Sequence, residues 1–280
     1  MLFPSNSFEL NEKTYRMLAD TIYANSGLRF DDSSRPILQR RLSARIRELN
    51  LNSFENYYTY LVYHPGHQSE MEILFDLITT NETYFFREER QLRAFTEEIV
   101  PQFASQIERL RSLRIWSAGC STGEEPYTVA MLCRDSVPLH GWNIDIFASD
   151  LSQKVIHAAR RGIYRESSFR STPPDFRERY FEKIANNQYQ IHEEIRRMVT
   201  FGKLNFLDDR KTGILGEFDL IFCRNVIIYF DQEAKKKAVE ILYRCLKKGA
   251  YLLLGHAESL LGLSTRFKLV HLTNDMVYQK

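Results

Sequence analysis

The chain has 280 residues, 44% of them hydrophobic and 26% charged, with a formal net charge of +2. That length holds a small domain and a mid-sized one, and the near-neutral balance excludes a chain drawn to nucleic acid by bulk charge. No run of about 18 apolar residues is present, so no membrane-spanning helix is expected.

Met1 to Leu10 lacks a basic n-region and a long apolar core, so it does not read as a secretion signal. Residues 1 to about 80 carry helical periodicities. Asn11 to Ser26 reads as a helix closed near Gly27, and the next starts near Pro36. In that second helix, 36–49, Leu38, Leu42, Ile46 and Leu49 form an apolar stripe, and Arg40, Arg41, Arg45 and Arg47 occupy the other faces. Two further helices are expected at about 54–63 and 68–79. His64 and His67 flank a Pro-Gly turn, where a polar loop is the expected reading and no metal site is assigned.

From about residue 113 short apolar runs alternate with helical stretches, the pattern of an α/β fold with a mostly parallel sheet. A long helix at about 88–110 leads into strand Arg114–Ala118, helix 124–136, strand 143–149 and helix 152–161. Pro173-Pro174 starts a short helix. Residues 187–201 read as a small antiparallel insertion, built from Gln188–Ile191 and Met198–Phe201. The main sheet resumes with Thr200–Asn205, Phe218–Cys223 and Tyr251–Gly255, and Phe267–Val270 with Met276–Gln279 close it as a hairpin. Cys120, Cys133, Cys223 and Cys245 form no C-x-x-C pair, which fits a reducing cytosol rather than a zinc site or disulfide framework.

Four segments carry chemistry. The first is Ile115-Trp116-Ser117-Ala118-Gly119-Cys120-Ser121-Thr122-Gly123-Glu124-Glu125-Pro126, a strand running through small residues into a helix. Such a switch is a common cofactor crevice. It has neither the lysine of a P-loop nor the glycine spacing of a dinucleotide site. Glu124 and Glu125 stand where a phosphate would otherwise bind, so the turn suits a cationic, hydroxyl-bearing ligand, or simply complements the helix dipole. The second is Asp150, at the end of the next strand, placed either to accept hydrogen bonds from a ribose or to cap the following helix. The third is Phe218 to Phe230, an apolar strand ending abruptly in Arg224-Asn225, where a charge needs a partner. The fourth is Asn81-Glu82-Thr83-Tyr84-Phe85-Phe86-Arg87-Glu88, too aromatic and too polar for a bland linker, which reads as part of a site or as a buried strap.

Together these segments, with Phe147-Ala148-Ser149-Asp150, Gly162-Ile163-Tyr164 and Gly255-His256-Ala257-Glu258-Ser259, resemble the chemotaxis receptor methyltransferase family, CheR, over nearly the whole chain. The resemblance implies an all-α N-terminal domain (1–80), a linker that contributes to the cofactor site (81–92) and a catalytic domain (93–280). The catalytic domain would be a Rossmann-like α/β methyltransferase sheet with a small antiparallel β-subdomain inserted at about 183–203.

The implied activity is transfer of methyl groups from S-adenosylmethionine to glutamate carboxylates of chemoreceptors. By resemblance Asn81, Thr83, Arg87, Glu125, Asp150, Asn205, Phe206, Arg224 and Asn225 contact the cofactor. Arg87 and Tyr229 lie nearest the methyl transfer, and no metal is needed. The arginines of 36–49 are expected to meet the helical region of the receptor, through Arg40, Arg41, Arg45 and Arg47. Some members of the family bind a C-terminal pentapeptide tether on their receptors through a glycine-containing loop. Here the turn reads Ala185-Asn186-Asn187-Gln188, so a tether-independent member is expected. A cytoplasmic monomer recruited to membrane-bound receptors, without nucleic acid or membrane insertion, completes the expectation.

Overall fold

The computed structural model describes residues 8–105 and 111–280. The chain divides into two compact units, one running through Thr80 and including Tyr229–Asp231, the other comprising Asn81–Ile228 and Gln232–Lys280.

The first unit holds four helices: α1 (Glu12–Ser26), α2 (Arg35–Glu48), α3 (Phe54–Tyr63) and α4 (His67–Ile78). Local chemistry sets their ends. The Asn11 side chain accepts the Thr14 N–H at 2.8 Å to start α1, and Gly27 at φ 74° ends it. Leu38, Leu42 and Ile46 of α2 are buried, as are Leu18 and Ile22 of α1, Phe54, Tyr57 and Leu61 of α3, and Leu74 and Ile78 of α4.

The arginines of α2 divide. Arg45 grips Glu70 of α4 through Nε at 3.0 Å and Nη2 at 2.7 Å, and the Tyr57 hydroxyl donates to the same carboxylate at 3.1 Å. Glu70 is 2% exposed, and a buried carboxylate requires such a counter-charge. Arg41 donates to the carbonyls of Ile78 and Thr79, where a cation satisfies the C-terminal end of α4. Arg40 and Arg47 stay exposed, with Ile37 beside them at 42% exposure. In the same unit Leu28 bridges Phe230, and the Arg29 N–H donates to the Tyr229 carbonyl at 3.0 Å.

The second unit opens with α5 (Glu89–Arg93), a π-helical stretch (Ala94–Ile99) and α6 (Val100–Ala104). The sequence suggests one helix to residue 110; positions 106–110 lie outside the described residues. There follow β1 (Ser112–Ala118), α7 (Glu124–Asp135), β2 (Asn143–Asp150), α8 (Gln153–Arg161), β3 (Ile163–Arg165), α9 (Pro174–Tyr180), β4 (Phe181–Ile184), β5 (Gln188–Ile191) and α10 (Glu193–Arg196). Then come β6 (Val199–Lys203), α11 (Asp209–Gly213), β7 (Phe218–Cys223), α12 (Gln232–Arg244), β8 (Leu246–Leu254), β9 (Lys268–His271) and β10 (Met276–Gln279).

The main sheet has seven strands in the order β6-β2-β1-β7-β8-β10-β9. β1, β2, β6, β7 and β8 are parallel, and β10 runs antiparallel to both β8 and β9. Every residue of β7 is buried, as a central parallel strand requires. The strand order reverses at β1, with β2 on one side and β7 on the other, and the carboxyl edge at such a switch point is where open α/β sheets bind ligands.

The small sheet has the order β3-β5-β4. It differs from the insertion read in the sequence: Met198–Phe201 is not part of it. Val199–Lys203 pairs instead with β2 in parallel, Val199 opposite Ile146, because the short helix α10 carries the chain away from β5. The strands that do join β5 are β3 and β4, too short for alternation to announce them. Asn186 and Asn187 turn the β4–β5 hairpin at φ 60° and 52°, a conformation asparagine tolerates.

The segment 81–88 clusters with this second unit as a strap. Phe85 is fully buried against Tyr164 (ring centroids 4.7 Å), Phe181 (5.0 Å) and Phe169 (5.2 Å), while Phe86 packs on Phe176 at 4.8 Å. The Phe85 N–H donates to the Ser168 carbonyl at 2.9 Å. Emptying such a site leaves a cavity that its aromatic neighbours cannot close. Phe85→Ala is therefore expected to destabilise the chain by about 3–5 kcal/mol in urea unfolding, and a loss below about 1 kcal/mol would show that the strap is not anchored there.

Candidate cofactor site

Because the five central strands are parallel, their carboxyl ends deliver one loop each to the same edge. β1 delivers Gly119–Gly123, β2 ends in Asp150, β6 leads to Asn205 and Phe206, β7 to Arg224 and Asn225, and β8 to Gly255–Glu258. Gly119 is required: at φ 83°, an added Cβ would stand 2.3 Å from Val226 Cγ2. The N–H groups of Gly119 and Cys120 donate to the Ser149 carbonyl at 2.8 and 2.9 Å, fixing the turn against β2.

Asp150 joins two elements. Its Oδ2 accepts the Ser121 N–H at 2.9 Å and its Oδ1 the Ser152 N–H at 3.0 Å. The helix cap of α8 is Ser152, whose hydroxyl accepts the Val155 N–H, so Asp150 is not spent on capping. Next to it, the Leu204 N–H donates to the Asp150 carbonyl at 2.9 Å. Asn205 closes a turn by accepting the Leu207 N–H, and Phe206 packs edge-on to Trp116.

Arg224, 7% exposed, answers the expectation that a cation at this strand end needs partners. Its Nε and Nη2 reach Glu88 Oε2 at 3.2 and 3.1 Å, its Nη1 reaches Glu125 Oε2 at 3.2 Å, and Nη2 also donates to the Arg87 carbonyl at 2.5 Å. The other oxygen of Glu125 accepts the Ser117 hydroxyl at 2.6 Å. Burial pushes the Glu125 carboxyl above its ordinary range, and Arg224 only partly offsets this. Glu124 is likewise pushed up by burial, while the Thr122 and Ser168 hydroxyls donate to it. Arg224 thus fastens the strap to the edges of β1 and β7.

The strap supplies further groups. The Ser121 hydroxyl donates to the Asn81 carbonyl at 3.2 Å, Thr83 is half-buried, and Arg87 Nη1 donates to the Glu82 carbonyl at 3.0 Å with its guanidinium 5.6 Å from the Tyr84 ring. Phe86, Glu88, Ser121 and Asn225 all hold positive φ (59°, 58°, 49° and 59°). Non-glycine residues in that region cost about 1–3 kcal/mol each and persist where surrounding contacts over-determine them.

Hydrogen bonds therefore join Asn81 to Asp150 through Ser121, and Arg87 to Glu125 through Arg224, and the sheet edge carries Asn205, Phe206 and Asn225 on its loops. Tyr229 groups with the helical unit and is 40% exposed. Glu88 and Glu258 lie in motifs the sequence marks, but no role is assigned to either there. The signal available was a carboxylate in a segment expected at the sheet edge, since such a group must find donors once buried.

The donor set tests what can bind. The turn after β1 presents carboxylates and hydroxyls and no lysine, and the nearby cation Arg224 is engaged by two carboxylates. This environment disfavours phosphate and accommodates a phosphate-free ligand with positive charge and ribose hydroxyls. S-adenosylmethionine fits that description.

Residues 81–276 match the SAM-binding domain of CheR methyltransferases, and residues 13–79 match their all-alpha domain. The chain belongs to the CheR methyltransferase family. It is 35% identical over 265 residues to a chemotaxis protein methyltransferase of Borreliella burgdorferi, covering 92% of this chain and 93% of that protein. It is 34% identical over 279 residues to chemotaxis protein methyltransferase 2 of Vibrio cholerae, covering 98% and 95%. The Escherichia coli chemotaxis protein methyltransferase is 34% identical over 264 residues, covering 93% and 89%. The chain is an S-adenosylmethionine-dependent methyltransferase of chemotaxis type, with an all-α domain ahead of an α/β methyltransferase sheet.

Proposed function

We propose that the chain methylates glutamate side-chain carboxylates of chemoreceptors, the methyl-accepting chemotaxis proteins, giving methyl esters for sensory adaptation. The observation that carries this reading is the acidic, lysine-free turn after β1 joined to Asp150, in a chain whose relatives are named for chemotaxis. Bound S-adenosylmethionine supplies the methyl group from its sulfonium.

A free glutamate ionises near pH 4.3, so at neutral pH the acceptor needs no general base. In keeping with that, Glu124, Glu125 and Glu258 are each engaged by hydroxyls, a guanidinium or backbone amides. What remains for the protein is orientation, which contributes about 7–11 kcal/mol in well-arranged systems. On the family resemblance, Asn81, Thr83, Glu125, Asp150, Asn205, Phe206, Arg224 and Asn225 hold the cofactor, Arg87 orients a carboxylate and Tyr229 positions the acceptor. The linker 81–92 belongs to the cofactor site in this reading.

The receptor-facing surface is narrower than the α2 sequence suggests. Arg45 and Arg41 are engaged within the helical unit, so the basic face offered to an acidic receptor helix is Arg40 and Arg47. Reversing both to glutamate is expected to raise KM for a receptor fragment about tenfold, with cofactor affinity unchanged, because complementary charge steers encounter. An unchanged KM would remove this surface from the reading. The glycine-free turn Ala185–Gln188 supports action without a receptor pentapeptide tether. The protein is proposed to act as a cytoplasmic monomer on membrane-bound receptors; among the described residues no helix is long and apolar enough to cross a membrane.

The test is transfer of labelled methyl from S-adenosylmethionine to the cytoplasmic fragment of a chemoreceptor. Label is expected on the native fragment and lost when its acceptor glutamates are replaced by glutamine. Label that survives those replacements would contradict the assignment.

A further inference from the structure

The motif Gly255-His256-Ala257-Glu258-Ser259, after β8, has no part in the roles described so far, yet it contains one of the most heavily bonded carboxylates of the second unit. Glu258 Oε2 accepts the N–H of Asn225 and of Gly255, both at 2.8 Å. Its Oε1 accepts the N–H of Val226 at 2.8 Å and of Ile228 at 3.3 Å. A single side chain thus clamps the ends of two neighbouring strands, β7 and β8. Burial still pushes its carboxyl above the ordinary range, outweighing the amides that stabilise its charge.

Two observations connect the clamp to ligand binding. Asn225 lies at φ 59°, in the left-handed region that asparagine tolerates. The Glu258 carboxylate fixes that conformation by accepting the Asn225 N–H itself. Gly255 completes it: an added Cβ would meet Asn225 Nδ2 at 2.8 Å, Asn225 N at 2.9 Å and Glu258 Oε2 at 3.0 Å. The Asn225 side-chain amide, meanwhile, is matched to no protein hydrogen-bond partner among the described residues, which leaves it for a ligand.

We infer that Glu258 is a positioning residue, whose carboxylate holds the Asn225 backbone so that the Asn225 amide meets S-adenosylmethionine. The inference rests on the reading of Asn225 as a cofactor contact. Glu258 need not touch the cofactor; it acts through the four amides. Glutamine at 258 would keep the shape but turn an NH2 group toward backbone donors, so the loop would lose part of its hold.

The experiment is a double-mutant cycle on the full chain, read by calorimetric titration with S-adenosylhomocysteine, using Glu258→Gln, Asn225→Gly and the double variant. Glycine tolerates the backbone conformation, so Asn225→Gly removes only the amide. Each single change is expected to weaken binding about tenfold, the scale on which misplaced contacts act. Glu258→Gln is expected to add nothing further in the Asn225→Gly background, the coupling that contacting residues show. Fully additive losses, the pattern of a merely structural role, would overturn the inference. Unchanged binding in Asn225→Gly would overturn the underlying reading of Asn225 instead.

Should Glu258→Gln not fold, Gly255→Ala displaces the loop with the carboxylate intact and enters the same cycle with the same expected coupling. On the unsubstituted protein, the Asn225 and Val226 amides are expected to exchange slowly without ligand. Exchange at unprotected rates would also overturn the clamp.

Discussion

Arg224→Met is expected to destabilise the full chain by about 3–5 kcal/mol near neutral pH, the scale of removing one partner from a buried ion network. The wild-type guanidinium is almost fully enclosed and faces Glu88 and Glu125, with the Arg87 carbonyl completing its shell. Methionine fills similar volume, so the loss would report the stranded carboxylates rather than a cavity. It carries its own pH signature. The Glu125 carboxyl is held above its ordinary range by burial even with Arg224 present, and losing the cation pushes it higher. An acid whose folded pKa lies above its unfolded value gives stability that is full below the unfolded value and is lost as pH rises through the folded one. The variant is therefore expected to lose stability more steeply than wild type as pH rises toward 7, and the gap between them to narrow toward pH 5. Urea unfolding at both pH values measures this. A gap independent of pH would mean that the carboxylates do not carry the effect.

Asp150→Ala is expected to weaken S-adenosylhomocysteine binding about 100-fold, since hydrogen bonds to a charged group contribute about 1.5–3 kcal/mol each and a ribose offers two hydroxyls. The side chain also ties the Ser121 amide of the β1 turn to the start of α8 through Ser152, so its removal loosens the cradle as well as the contact. Asp150→Asn retains an acceptor and the volume and is expected to lose less. Calorimetric titration separates the two. A loss under about threefold in the alanine variant would remove Asp150 from the ribose role.

What the sequence reveals divides along a physical line. Phe218–Cys223 is legible as a central strand because its run is apolar apart from Asp219, and the helix 36–49 because its leucine and isoleucine stripe is periodic and Pro36 opens it. The turn after β1 and Asp150 are legible because strand-to-helix switches carry their own residue pattern. Interactions between distant segments are not. Nothing near Arg45 announces that Glu70, on another helix, turns it inward. Glu258 is recognised by backbone amides some thirty residues away, and amides have no residue type for a motif to display. The small antiparallel sheet is present with Gln188–Ile191 in it, but its partner strands were misread for a different reason: β3 has three residues and β4 four, below the length at which alternation can be read, and the α10 turn that diverts Met198–Phe201 is no longer than β4.

The product of the proposed reaction is a carboxyl ester. The direct measurement is to incubate the purified protein with methyl-labelled S-adenosylmethionine and a chemoreceptor cytoplasmic fragment, isolate the fragment and treat it with alkali. The label is expected to leave as volatile methanol. Label that stays on the fragment through alkali, as an N-methyl group would, contradicts it.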